Sequence, residues 1–156
     1  MGKDKFPQDY IEVFTSYGLL FLKESKYELR ETAISYFAEL AKILKGEMAP
    51  IIDQVLTEVL NSCKSNTGIR EEYTEKTKEA FSLDSDSEDD EAELAGMDVD
   101  VNFIDEKTSA VHALGNICLF CTTAILPRMQ EIIDVLGAIS FYFHENIRYH
   151  VCLTYT

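Results

Sequence analysis

The sequence predicts an all-α fold, a helical-pair solenoid of about two and a half to three repeats interrupted by one long acidic insertion. Three observations predict it. Pro7, Pro50 and Pro127 each open an apolar helical run, and each run is followed at a similar offset by a second one. The second runs begin around Glu28–Ala33, Asp105–Ala110 and Glu145–Arg148, so that Arg30, Lys107 and Arg148 hold equivalent places. Pro7 and Pro50 lie 43 residues apart and Lys107 and Arg148 lie 41 apart, a period in the range of stacked helix pairs. Proline to cation takes 23 residues in the first unit and 21 in the third but 57 in the middle one, where the excess is an acidic stretch.

Taken in order, each element has a local cause. Proline in the first turn of a helix loses no hydrogen bond, because that amide has no partner within the helix anyway. After Pro7, Tyr10, Val13, Phe14, Tyr17, Leu20 and Phe21 recur at three- and four-residue steps and predict the buried face of a first helix. Ser25-Lys26-Tyr27-Glu28 matches a capping box and starts the next helix, with Leu29, Ala33, Phe37, Leu40 and Leu44 as its buried stripe and Gly46 as its end. From Pro50 the stripe is Ile52, Val55, Leu56, Val59, Leu60 and Cys63. Residues 66–102 lose sustained periodicity, and the run Ser82–Glu91 is low in complexity and self-repelling, a disordered or weakly held insertion. Helical pattern returns at Asp105 with Ala110, Leu114, Ile117, Cys118 and Cys121, and again after Pro127 with Met129, Ile132, Ile133, Leu136, Ile139 and Phe143. The units are thus 7–46, 50–121 with the insertion at about 66–102, and a truncated 125–156.

Composition narrows the function. Apolar residues make up 46% of the 156-residue chain, and the net charge is −14. Between Glu71 and Asp100 stand 13 acids against Lys76 and Lys78, a net of −11, leaving −3 elsewhere. Direct nucleic-acid binding is excluded because no basic face exists to neutralise phosphates; basic proteins are the expected partners. Cys63, Cys118, Cys121 and Cys152 sit inside apolar helical runs, which fits a reducing compartment. No apolar run approaches the ~18 residues needed to span a bilayer, so no membrane insertion is expected. Neither a Gly-rich phosphate loop nor a nucleophile elbow appears, and the chain is expected to be no enzyme and to hold no cofactor.

The acidic run is the first candidate site. Asp84, Asp86, Glu88, Asp89, Asp90, Glu91 and Glu93 attract Lys- and Arg-rich segments at long range, each exposed pair contributing at most ~1 kcal/mol and weakening with salt. Ser85 and Ser87 each have an acid three positions later, a pattern that acid-directed kinases favour, and phosphate there adds about −1.5 to −2 charges per site. The Cys118–Cys121 pair has no second pair near it and reads as packing, and His112, His144 and His150 lack metal-ligand spacing along the chain, so no metal is expected.

The turn with an acid followed by a cation and then Ala three places on, as at Arg30/Ala33 and Lys107/Ala110, with Arg148/Val151 departing at the last place, resembles a HEAT repeat. The wider string is more particular: Tyr17-Gly18-Leu19-Leu20, Tyr27-Glu28-Leu29-Arg30, Val99-Asp100-Val101-Asn102, Asp105-Glu106-Lys107 and Phe141–Tyr149 together resemble the importin beta family over nearly all of the chain, as a central slice of a longer receptor. The resemblance implies a nuclear transport receptor. Such a receptor grips basic cargo such as histones and ribosomal proteins on its inner surface and meets phenylalanine-glycine nucleoporins on its outer one. It releases cargo to Ran-GTP, whose contacts concentrate toward the amino-terminal repeats, and it works in cytoplasm and nucleus, including the nuclear pore. It also implies that second helices line the concave face, which makes Glu31, Ser35, Glu39, Thr108, His112 and Asn116 candidates to accept hydrogen bonds from a cargo lysine. Phe141, Tyr142 and Phe143 join inter-repeat packing or line a groove for pore-protein phenylalanines. The competing expectation is a HEAT scaffold or adaptor subunit of a non-transport complex, with the acidic loop as tether.

Overall fold

The structure, a computed structural model, describes residues 8–69 and 99–155. Its helices are α1 (Gln8–Phe21), α2 (Tyr27–Leu44), α3 (Ala49–Lys64), α4 (Val101–Phe120), a single turn α5 (Thr122–Ile125), α6 (Met129–Ile139) and α7 (Glu145–Thr154), with 3-10 turns at Lys45–Met48 and Leu126–Arg128. Among the described residues there is no strand, only an isolated antiparallel bridge between Ile69 and Val99. The helices form two layers. In one, α2 lies along α4 and α4 along α7; in the other stand α1, α3 and α6, with α1 packed on α2, α3 on α4, and α6 on α3 and α7. This is the all-α, HEAT-type stacking of helix pairs that the period predicts. Among the described residues no single helix is long and apolar enough to cross a membrane.

The α3 stripe is buried as its spacing predicts: Ile52, Val55, Leu56, Val59, Leu60 and Cys63 are all at most 4% exposed. At roughly 1.5–3 kcal/mol for each large side chain removed from water, this helix anchors the core. Helix α2 buries Ala33, Phe37 and Leu40 as expected and also Ile34, Ala38 and Ala41, because it is gripped from two sides, by α1 and by α4. Leu29 and Leu44 are only half-buried. In the third unit Ile133, expected in the buried stripe, is exposed, and Val135, outside that stripe, is buried instead.

Helix α1 reverses the expectation. Tyr10, Val13, Phe14, Tyr17, Leu20 and Phe21 are all exposed, and the helix turns Ile11, Gly18, Leu19 and Leu22 inward instead. Apolar residues occupy more than one side of this helix, so periodicity alone does not choose the inner one. Gly18 chooses it. A Cβ at that position would lie 3.0 Å from the Phe37 ring, so glycine lets the α1 backbone settle this closely on α2 without the ring giving way.

The helix ends depart from the sequence reading in three places. The Ser25–Glu28 capping box does not form; the N-cap of α2 is Lys26, with no side-chain hydrogen bond. Gly46 is not the residue that reverses the chain after α2, for Lys45 takes the positive φ of 51° and the 3-10 turn follows. Helix α4 starts four residues before Asp105, where Asp100 accepts a hydrogen bond from the Asn102 amide at 2.9 Å and supplies a true cap. Pro50 stands in the first turn of α3, whereas Pro127 sits in the 3-10 turn ahead of α6. Pro7 lies outside the described residues.

The two ends of the inserted segment meet in a neck. Ile69 pairs with Val99, the Asp100 amide donates to the Gly68 carbonyl at 3.2 Å, and the hydroxyls of Tyr27 and Thr67 lie 3.1 Å apart. Gly68 makes the neck close: a Cβ there would lie 2.3 Å from the Phe103 ring, and Phe103 is 1% exposed. Replacing Gly68 with Val is expected to cost about 1–3 kcal/mol through overpacking, read as a lowered urea midpoint. An unchanged midpoint would show that Phe103 has room to move aside.

Candidate protein-binding surface

The three aligned cations perform one task. Each comes from a second helix and reaches carbonyls at or just beyond the end of the first helix of its pair. Arg30 donates to the Glu24 carbonyl at 2.9 Å, Lys107 to those of Cys63 and Ser65 at 2.5 and 2.6 Å, and Arg148 to those of Tyr142 and Phe143 at 2.8 and 2.7 Å. The carbonyls at a helix end and in the turn after it lack partners within the helix and lie at its negative end, so a cation there answers both needs. Lys107 is 1% exposed and lies over the rings of Phe103 and Tyr142, at 5.6 and 4.7 Å from their centroids. Burial lowers its pKa to about 8, against the opposing pull of Cys63 and Glu106.

Beside Lys107, Glu106 ties three helices together. Its two carboxylate oxygens accept from Arg30 Nε at 3.0 Å and Nη2 at 2.6 Å, a bidentate pair, and one also accepts from Ser62 Oγ at 2.5 Å. The hydrogen bond to Glu106 raises the Arg30 pKa above its ordinary value. These groups are occupied with one another and present no open chemistry. Burial raises the Cys63 thiol to about 12 and, with help from Cys121, the Cys118 thiol to about 11. Among the described residues no three His, Cys, Asp or Glu side chains gather as a metal set.

What remains open is the outer surface of the α2–α4–α7 layer. Ser35, Glu39 and His112 are exposed there, and Glu31, Thr108 and Asn116 are half-buried. Glu31 accepts a long bond of 3.4 Å from Ser109, Glu39 pairs with Lys42 at 2.5 Å, and the Thr108 hydroxyl turns back to the Ile104 carbonyl at 2.8 Å. The structure therefore brings the six residues onto two adjoining helices but commits part of their hydrogen-bonding capacity within the chain. It also adds residues that the sequence reading passed over. The residue after each cation is Glu31, Thr108 and Tyr149, and extending the alignment to Arg148 would have found the third. Tyr149 is 61% exposed; its ring lies 5.4 Å from that of His150, which lies 5.5 Å from that of His112. Burial, and then the neighbouring His112, lowers the His150 pKa.

On the first-helix side, a cleft of about 470 Å³ opens between α3, α4 and α6, lined by Cys63, Lys107, Val135, Ile139 and Tyr142 and bordered by the Lys64–Glu131 ion pair. The Tyr142 hydroxyl is buried and has no hydrogen-bond partner among the described residues, and burial raises its pKa. Phe141 is 77% exposed, whereas Tyr142 and Phe143 stack on each other at 4.6 Å and pack against the core. Asp84, Asp86, Glu88, Asp89, Asp90, Glu91, Glu93, Ser85 and Ser87 lie outside the described residues.

Two layers of stacked helix pairs, each pair closed by a cation and with an open second-helix face, define a helical-repeat fold of the HEAT type. No family model matches the sequence. The chain is similar to importins, the family to which its sequence motifs pointed. It is 29% identical over 128 residues to a probable importin subunit beta-4 of Schizosaccharomyces pombe, covering 77% of this chain, and 28% identical over 137 and 136 residues to importin-4 of Mus musculus and of Homo sapiens, covering 78%. The chain spans 12% of the length of each of these relatives.

Proposed function

We propose that the chain is the cargo-contacting part of an importin-beta-type nuclear transport receptor, which binds basic proteins such as histones and ribosomal proteins and carries them between cytoplasm and nucleus. The observation that carries this reading is the similarity to importins along more than three quarters of the chain. The charge distribution supports it, since 13 acids in the segment from Glu71 to Asp100 attract lysine- and arginine-rich segments. Binding, rather than chemistry, is the mechanism. Ran-GTP and phenylalanine-glycine nucleoporins are partners of the full-length receptor in this reading, and the repeat units are 7–46, 50–121 with its insertion, and 125–156.

The experiment is calorimetric titration of the chain with a lysine-rich histone-tail peptide at rising salt. We expect binding that weakens severalfold between 50 and 200 mM salt (~1 kcal/mol or less per exposed ion pair), and that falls further when the acids from Asp84 to Glu93 are replaced by Ser and Asn. Affinity that is flat with salt, or no binding at low salt, would remove the basis for a basic cargo and favour a scaffold subunit.

A further inference from the structure

We propose that Tyr149, His150 and His112 form a stacking subsite for an arginine side chain of the basic partner. This deepens the receptor reading above and rests on it. The three rings form a continuous row across α4 and α7, with centroid spacings of 5.4 and 5.5 Å and interplanar angles of 75° and 54°. Tyr149 takes the place that Glu31 and Thr108 hold in the preceding pairs, so along the same surface the group offered changes from carboxylate to hydroxyl to aromatic ring.

The polar surroundings favour a planar cation. Asn116 lies beside His112, with its side-chain nitrogen 3.4 Å from Nε2. With the amide nitrogen turned to the ring, the Asn116 side chain still has its carbonyl oxygen as an acceptor for an incoming N–H. Arg30, Lys107 and Arg148 point away from this surface to their helix-end carbonyls, so none of the three repels a guest. A guanidinium is planar, weakly hydrated and able to stack on a ring while its edge donates to an amide oxygen. A lysine ammonium, compact and strongly hydrated, gains less from such a surface.

The test compares two synthetic peptides of equal length and charge, one carrying arginine and one carrying lysine at every basic position, titrated into the intact chain by calorimetry. We expect the arginine peptide to bind about fivefold to tenfold more tightly, the range of a partly desolvated cation–ring contact. Tyr149→Ala and His112→Ala should each bring the arginine peptide down toward the lysine one while leaving the lysine peptide unchanged. Tyr149→Phe should keep the preference. The imidazole proton resonances of His112 and His150 should move on addition of the arginine peptide and stay in place with the other. Circular dichroism and the melting midpoint confirm that each variant is folded, and the exposure of Tyr149 makes its replacement safe for the core. Equal affinity for both peptides, or indifference of the arginine peptide to Tyr149→Ala, overturns the subsite and leaves the basic-partner reading standing. Failure of both peptides to bind at low salt overturns both.

Discussion

Replacing Glu106 with Ala is expected to destabilise the fold by about 3–5 kcal/mol, the effect of removing one member of a buried ion pair. Glu106 is 3% exposed at its side chain and Arg30 is 21% exposed; without the carboxylate, the guanidinium loses both bonds of its bidentate pair and Ser62 Oγ loses its acceptor as well. The cost arises less from the lost attraction than from the desolvated donors left behind. Two further variants separate these contributions. Glu106→Gln keeps an acceptor for Ser62 and one bond to Arg30 and should fall between wild type and Ala. The double variant Arg30→Met with Glu106→Leu removes charge and counter-charge together and should recover much of the loss, because apolar groups of similar volume replace a buried pair at little net cost. Urea unfolding followed by far-ultraviolet circular dichroism at fixed protein concentration measures all three. A Glu106→Ala loss below about 1 kcal/mol would mean that Arg30 and Ser62 find water readily, and that α2, α3 and α4 are held by apolar packing alone.

The sequence shows helices by period and helix pairs by repetition, and both were legible here. The α3 stripe could be read directly because its apolar residues occupy one side. The equivalence of Arg30, Lys107 and Arg148 was legible as a pattern, but its cause was not, since the carbonyls they bind belong to the far end of another helix. Glu106 was missed for a related reason. An acid next to a cation in a helix reads as a solvated pair, and nothing along the chain shows that Arg30, 76 residues away, arrives to bind it. His112 and His150 lie on different helices, so their meeting follows from the register of α4 against α7 and not from sequence spacing. The cap at Asp100 was legible in principle, for an aspartate before a helical run is a common start, but the acidic insertion running into it hid the boundary. Helix α1 shows the limit of periodicity: with apolar residues on several sides, the smallest residue, Gly18, decided which face went inward.

The outward face of α1 is expected to make the isolated chain associate with a second copy of itself as concentration rises. Tyr10, Val13, Phe14, Tyr17, Leu20 and Phe21 are 38–61% exposed and follow one side of a 14-residue helix. At about 100 Å² apiece they offer on the order of 600 Å² of contiguous apolar surface, the upper end of what a monomer leaves open and close to the roughly 800 Å² per partner of a standard interface. The stripe carries no charge that association would bury, and its spacing is that of a seam able to pack against an identical one. In an antiparallel pairing, exposed Asp9 near the start of one α1 comes close to Lys23 just beyond the end of the other, which favours that orientation over the parallel one. Sedimentation and light scattering should therefore show a dimer in exchange with monomer at micromolar to millimolar concentrations, and the melting midpoint should rise with concentration. Phe14→Glu places a charge at the centre of the stripe and should shift the dissociation constant by at least about tenfold, since a desolvated unpaired carboxylate costs more than ~1.4 kcal/mol. Because Phe14 faces solvent in the monomer, the same change should leave the unfolding midpoint of dilute protein nearly unaltered. A chain that remains monomeric at high concentration, or a dimer indifferent to Phe14→Glu, would refute self-pairing through α1.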